Sequence, residues 1–176
     1  TEYTSNAHRG DYKTSLKVDT EYELARNKVQ EFINAKSRKE VVFTSGATES
    51  LNYIATGFFS NILEPGDEIL ITKSEHASNV LPWFRLAREL NLEVNYIPLD
   101  NNYYVTVENV LKSITPKTKV IALAQVTNVI GDLRPIKKIA HIAHERGIFL
   151  VVDGAQSVPH MKIDVQDLDC DFLAFS

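Results

Sequence analysis

Several residues suited to cofactor chemistry each stand just after a short apolar run. Ser45-Gly46-Ala47-Thr48 follows Val41-Val42-Phe43 and precedes a stretch that reads as a helix. Free backbone N–H groups, the positive end of the helix dipole and the Thr48 hydroxyl are expected to converge there on an anion such as phosphate. The blander alternative is that Ser45 or Thr48 caps the helix. No Gly-Lys-Ser/Thr follows and no Gly-x-Gly-x-x-Gly is present, so neither a Walker loop nor a dinucleotide fingerprint is at hand. His76, in Glu75-His76-Ala77-Ser78-Asn79, is the side-chain type best suited to proton transfer near neutral pH; its alternative is a capping or solvated loop residue. Asn128 follows the apolar run around Val120, with a turn residue as its alternative. Asp153 closes Phe149-Leu150-Val151-Val152. A carboxylate so placed needs a partner, unless it serves as a helix cap or an Asx-turn. Gln156 follows it, as a ligand contact or a solvated loop side chain. His141 and His144 have the i, i+3 spacing of one helix face, but no carboxylate or third ligand stands at usable spacing, so they do not read as a metal site. His160 reads as a loop residue.

Each of these signals is weak alone. One class of ligand uses all of them: a phosphorylated aromatic cofactor with a pyridine nitrogen. A helix N-terminus holds its phosphate, a carboxylate keeps its ring nitrogen protonated, an amide meets its ring hydroxyl and a His covers its face. Pyridoxal phosphate meets that description.

The elements that must position these residues alternate along the chain. Helices are expected over 19–35, from about 47 to Pro65, and over 78–91, 106–114 and 135–146. Strands are expected at 41–43, 68–72, 93–99, 119–126 and 148–153, and in the apolar run Phe172-Leu173-Ala174-Phe175-Ser176. Strand and helix taking turns at this spacing imply an α/β fold: a three-layer α/β/α sandwich around a mostly parallel sheet. In such sheets ligands bind beyond the carboxyl ends of the strands, which is where the residues above lie. The expected division is an N-terminal segment and helix over 1–35 and a partial cofactor-binding large domain over 36–176, without a small C-terminal domain.

Composition removes other classes. The 176 residues are 44% hydrophobic and 24% charged with a net charge of −4, so a disordered or fibrous chain is excluded and no basic footprint suggests nucleic acid or an anionic membrane. No apolar run approaches the roughly 18 residues of a spanning helix, and the start is unlike a signal peptide. The single Cys170 makes no intramolecular disulfide. A soluble cytoplasmic protein is the expectation. Ending on a core-strand pattern, the chain reads as the N-terminal piece of a longer one.

The pattern resembles a known family, the class V branch of fold-type I pyridoxal-phosphate enzymes, and within it the SufS-type cysteine desulfurases. The resemblance runs over essentially the whole chain. It is carried by His8-Arg9-Gly10, Phe43-Thr44-Ser45-Gly46-Ala47-Thr48-Glu49, Glu75-His76-Ala77-Ser78-Asn79 with Pro82-Trp83, Val126-Thr127-Asn128-Val129-Ile130-Gly131, Val152-Asp153-Gly154-Ala155-Gln156, and Asp169-Cys170-Asp171-Phe172 before Ser176. It implies the large domain of the fold-type I transferases and pyridoxal 5'-phosphate as cofactor. Ala47, Thr48 and Ser176 would hold the phosphate, Asp153 the pyridine nitrogen, and Gln156 the phenolic oxygen. Asn128 would lie near that oxygen and the substrate carboxylate, His76 would stack on the ring and shuttle protons, and His8 and Arg9 would approach the substrate. The implied reaction turns L-cysteine into L-alanine and an enzyme persulfide, in a homodimer that feeds a sulfur acceptor or scaffold of iron–sulfur cluster assembly. Two departures stand out. Ala77 replaces a second His, and the family's Ser-Gly-His-Lys segment with its Schiff-base Lys would begin at Ser176, with the nucleophilic Cys further on. The piece alone is therefore expected to be inactive, and Cys170 to be a buried structural thiol. Other class V activities, such as aminotransferase or selenocysteine lyase, and a non-catalytic dimerisation or binding module are the competing readings.

Overall fold

The computed structural model describes residues 12–176, and within them the chain divides between Val42 and Phe43 into two compact units. The first unit contains α1 (Lys13–Phe32). A short 3-10 turn at Arg38–Glu40 follows, closed by a capping box in which Ser37 and Glu40 satisfy each other's backbone donors. Glu23 of α1 pairs with Arg26 and Arg38, and the Arg26 guanidinium donates to the Val41 carbonyl.

The second unit opens with α2 (Ala47–Asn52), which widens into a π-helical turn over Tyr53–Phe58 and tightens to 3-10 at Phe59–Asn61. Then come β1 (Glu68–Ile71), α3 (Leu81–Leu90), β2 (Glu93–Tyr96), α4 (Val107–Ser113) and β3 (Thr118–Ala124). The unit ends with α5 (Ile136–His144), β4 (Phe149–Asp153), α6 (Val165–Leu168) and β5 (Phe172–Ala174). The five strands form one sheet in the order β2-β1-β3-β4-β5, and every neighbouring pair is parallel.

Alternation along the strands separates two cores. Ile69 and Ile71 of β1, Val120 and Ala122 of β3, and Val151 of β4 face one side, where they pack with Leu51 and Phe59 of the first helical segment and with Trp83 and Leu86 of α3. Leu70, Ile121, Leu123, Leu150 and Val152 face the other, against Val110 of α4 and Ile136 and Ile139 of α5. Both faces of the sheet are covered, as parallel sheets require. The three-layer α/β/α expectation therefore holds. Phe59 is the hub of the first core, with ring contacts to Phe58, Trp83, Phe149 and Phe172 at centroid separations of 5.1 to 5.6 Å.

The strand expected at Val41-Val42-Phe43 is not there. That segment lies outside the five-stranded sheet, and Val42 is 74% exposed. Its β-branched composition mimics a core strand, but the Val41 carbonyl is taken by Arg26 rather than by a neighbouring strand. The first helix starts at Lys13 rather than 19, and the short α6, capped by Asp164, was hidden in a polar stretch. The apolar run at the chain's end does form a core strand, β5. No helix among the described residues is long and apolar enough to cross a membrane.

The strand order reverses at one place. From β1 the chain passes outward to β2 and returns to lay β3 on the opposite side of β1, so the loops after β1 and β3 part from one another. That is the topological switch point where open α/β sheets leave a crevice.

Candidate active site

A cavity of about 400 Å³ sits over the carboxyl ends of the strands. The turn after β1 contributes His76 and Ser78, the end of β3 contributes Ala124, and the turn beyond it Asn128. Asp153 ends β4 and Gln156 follows it, while Ser176 lies just after β5. Gly46, Ala47 and Thr48 close the site from the start of α2. Ala47, Thr48, His76, Asn128, Asp153, Gln156 and Ser176, drawn from distant points in the sequence, thus share one space. His8 and Arg9 lie outside the described residues.

The loop at α2 is built for close approach. Gly46 has φ +147°, a conformation L side chains rarely adopt, and a Cβ there would come within 3.3 Å of Ser176 Oγ. The Ala47 amide donates to that same hydroxyl at 2.9 Å, which ties the helix start to the end of β5. Three of the four backbone amides in this segment are thus engaged: besides that of Ala47, Ser45 donates to Glu49 at 2.5 Å and Gly46 to Thr44 Oγ1 at 3.2 Å. Neither Ser45 nor Thr48 caps the helix; the N-cap is Gly46, without a side-chain bond. The Ser45 backbone bond holds the Glu49 carboxyl below its ordinary range.

Asp153 is 4% exposed. Its Oδ1 accepts the Ala155 amide at 3.0 Å in an Asx-turn, and its main chain is fixed by the Gln125 amide at 2.9 Å. Burial pushes this carboxyl above its usual range; the Ala155 bond opposes the shift, Glu75 adds to it, and His76 and Arg134 oppose it. A cationic N–H placed in the cavity would relieve that penalty. A protonated pyridine nitrogen is such a group, so the residues present fit the cofactor. Hydroxyls of Thr48 and Ser176, which line the same cavity, fit its phosphate.

His76 starts a single 3-10 turn, Ala77–Asn79, and caps it: Nδ1 accepts the Ser78 amide at 3.2 Å and lies 2.7 Å from Ser78 Oγ. His76 thus caps its turn, as one of its two readings expected, and also lines the cavity. Asn128 sits exposed on a turn closed by Thr127 and Asp132, with Gly131 at φ +70°.

Sequence reasoning missed what holds these turns. Arg134 is 3% exposed, and its guanidinium pairs with Glu75, donates to Ser74 Oγ at 2.8 Å, Thr72 Oγ1 at 3.1 Å and the Ala124 carbonyl at 3.3 Å, and lies 3.5 Å from Asp132. Glu75 in turn accepts from the Ala124 amide at 2.7 Å and from Asn79 at 2.9 Å. The network locks the turn carrying His76 to the end of β3 and the turn carrying Asn128. No local pattern around Arg134 marks it for this role.

Away from the cavity, the fold brings Asp169 and Asp171 to His144 at 3.3 and 3.1 Å, while His141 pairs with Glu145 one helical turn on at 3.3 Å. Cys170 is half-buried against the second core rather than fully enclosed, and burial pushes its thiol up to about 12. His160 donates from Nδ1 to the Gln156 carbonyl at 2.7 Å.

Comparison with known proteins agrees with this fold. A protein from Halalkalibacterium halodurans described as a probable cysteine desulfurase is 46% identical over 174 residues, covering 99% of this chain and 43% of its own length. The apo structure of a cysteine desulfurase from Thermococcus onnurineus superposes with a TM-score of 0.92 at 38% identity, covering 99% of this chain and 43% of that one. A protein named SspA, solved in complex with cysteine, superposes with a TM-score of 0.87 at 28% identity, covering 96% of this chain and 48% of that one. The chain thus spans about two fifths of the length of the curated relatives it matches. The family model for aminotransferase class-V matches residues 1–176, and the chain belongs to that family.

Proposed function

We propose that the protein carrying this chain is a pyridoxal-phosphate-dependent cysteine desulfurase, which converts L-cysteine to L-alanine and passes the sulfur to a cysteine of its own as a persulfide. One observation carries the reading: the buried carboxylate of Asp153, whose burial is not fully offset, lines a cavity together with the hydroxyls of Thr48 and Ser176 and the start of α2. Proteins of this family use pyridoxal phosphate. When bound, that group supplies an electron sink for the pair of electrons left as the substrate Cα–H bond breaks.

The chain's own residues do the positioning. Asp153 holds the ring nitrogen in its protonated form, through a charge-assisted bond stronger than a neutral one. The Thr48 and Ser176 hydroxyls, with the Ala47 amide, would hold the phosphate. Gln156 meets the phenolic oxygen, and Asn128 lies beside that oxygen and the substrate carboxylate. His76 covers the ring face, and His8 and Arg9 approach the substrate. Residues 36–176 act as the cofactor-binding part of the large domain in this reading. A cytoplasmic homodimer that delivers sulfur to an acceptor or scaffold of iron–sulfur cluster assembly completes it.

The relatives named above support cysteine as substrate. The test is to incubate the full-length protein with pyridoxal phosphate and cysteine under reductant and to measure alanine and sulfide together. Equal release supports desulfuration. Cofactor uptake without sulfide moves the activity to another class V reaction, and no uptake sinks the enzyme reading.

A further inference from the structure

The turn after β1 is capped by an imidazole instead of a small hydroxyl or carboxylate. His76 Nδ1 accepts the Ser78 backbone amide at 3.2 Å, and Ser78 Oγ stands 2.7 Å from the same nitrogen. A backbone N–H can only donate. Nδ1 is therefore engaged as an acceptor and carries no proton, and a hydroxyl beside an unprotonated ring nitrogen donates to it as well. The neutral ring must then carry its proton at Nε2. Turning the ring over would break both bonds together.

We infer that Ser78 is a positioning residue that fixes His76 in the Nε2–H tautomer, so that His76 offers the cavity a hydrogen-bond donor and a ring face but no lone pair. Ser78 and His76 both line the cavity beside Asp153 and Ser176. The nitrogen able to receive a proton is turned toward Ser78, while Nε2 already holds one. A proton leaving a substrate in this cavity must accordingly be received by another group. His76 is left to stabilise negative charge developing on an oxygen or sulfur by donation from Nε2. The use made of that donor rests on the functional reading above; the tautomer rests on the turn geometry alone.

The test uses the full-length protein labelled with 15N at its imidazole nitrogens, with H76Q to identify the His76 signals. Two-bond 1H–15N correlations are recorded near pH 8.5, about two units above the ordinary imidazole range. The expected result is one His76 species, protonated at Nε2 and unprotonated at Nδ1. In S78A the amide bond remains and the hydroxyl bond is lost, so the tautomer ratio falls roughly fivefold to tenfold, the effect of one hydrogen bond. S78T returns the ratio toward wild type. A merely structural Ser78 would leave the ratio unmoved, and that outcome, or a wild-type His76 protonated at Nδ1, overturns the inference. Cofactor absorbance is read on the same samples, so a failure to take up pyridoxal phosphate contradicts the functional reading separately from the nitrogen shifts.

Discussion

Arg134→Met removes the central cation of the network under the site. The side chains of Arg134 and Glu75 are both fully buried. Methionine fills much of the space but takes away the pairing with Glu75 and the donated bonds to Ser74, Thr72 and the Ala124 carbonyl. Glu75 keeps the Thr72 hydroxyl, the Ala124 amide and Asn79 as donors, but its charge is left without a cation. Breaking one side of a buried ion pair costs about 3–5 kcal/mol. At about 2–4 °C per kcal/mol for a unit of this size, the transition that melts the sheet should fall by roughly 6–20 °C. Calorimetry of the full-length protein reads that shift. E75Q/R134M removes the orphaned charge and keeps Gln in place of Glu75, so it should recover at least half of the loss. If R134M melts within about 2 °C of wild type, or if the double variant loses the sum of the two single losses, the reasoning fails.

Three further outcomes follow from the same geometry. G46A forces a Cβ toward Ser176 Oγ at a φ of +147°, so it should weaken cofactor binding, measured by absorbance titration, by roughly 5- to 150-fold for a strain of about 1–3 kcal/mol. His144 is pushed down by burial but raised overall by Asp171 and Asp169, so its folded value lies above its unfolded one. The stability of that clip is complete below the ordinary imidazole value of about 6.5 and is lost as pH rises through the raised one. The protection factor of the Leu150 amide, which Asp171 accepts at 2.8 Å, taken against the intrinsic exchange rate at each pH, should fall over that window, and in H144Q it should not change across it. Cys170, its thiol pushed up to about 12, should resist alkylation at neutral pH in the native protein and react on denaturation, read by mass spectrometry of its peptide.

Three of the strand ends were legible in sequence because His76, Asn128 and Asp153 each follow an apolar run that does form a buried strand. Asp153 after Phe149-Leu150-Val151-Val152 and His76 after the apolar residues of β1 needed no three-dimensional information to be singled out. The sheet's two-sided burial made period and length sufficient. What could not be read was long-range pairing between polar residues. Arg134 meets Glu75 across 59 positions, and Asp171 meets His144 across 27, with no local pattern in either segment. The false strand at Val41–Phe43 shows the converse: β propensity is only a capacity to pair, and here the neighbouring carbonyl went to Arg26. Ser176 and Ala47 illustrate a third limit, since a bond across 129 positions occupies an amide that local reading left free.

The central claim is that Asp153 holds the ring nitrogen of pyridoxal phosphate. It is tested most directly by titrating the cofactor into full-length wild-type protein and D153N and following the visible absorbance of each. Asn keeps the size and the Ala155 bond but not the charge, so the account predicts saturable binding in wild type and affinity weaker by roughly 10- to 150-fold in D153N, the worth of a charge-assisted bond. Equal affinity in the two proteins would contradict it.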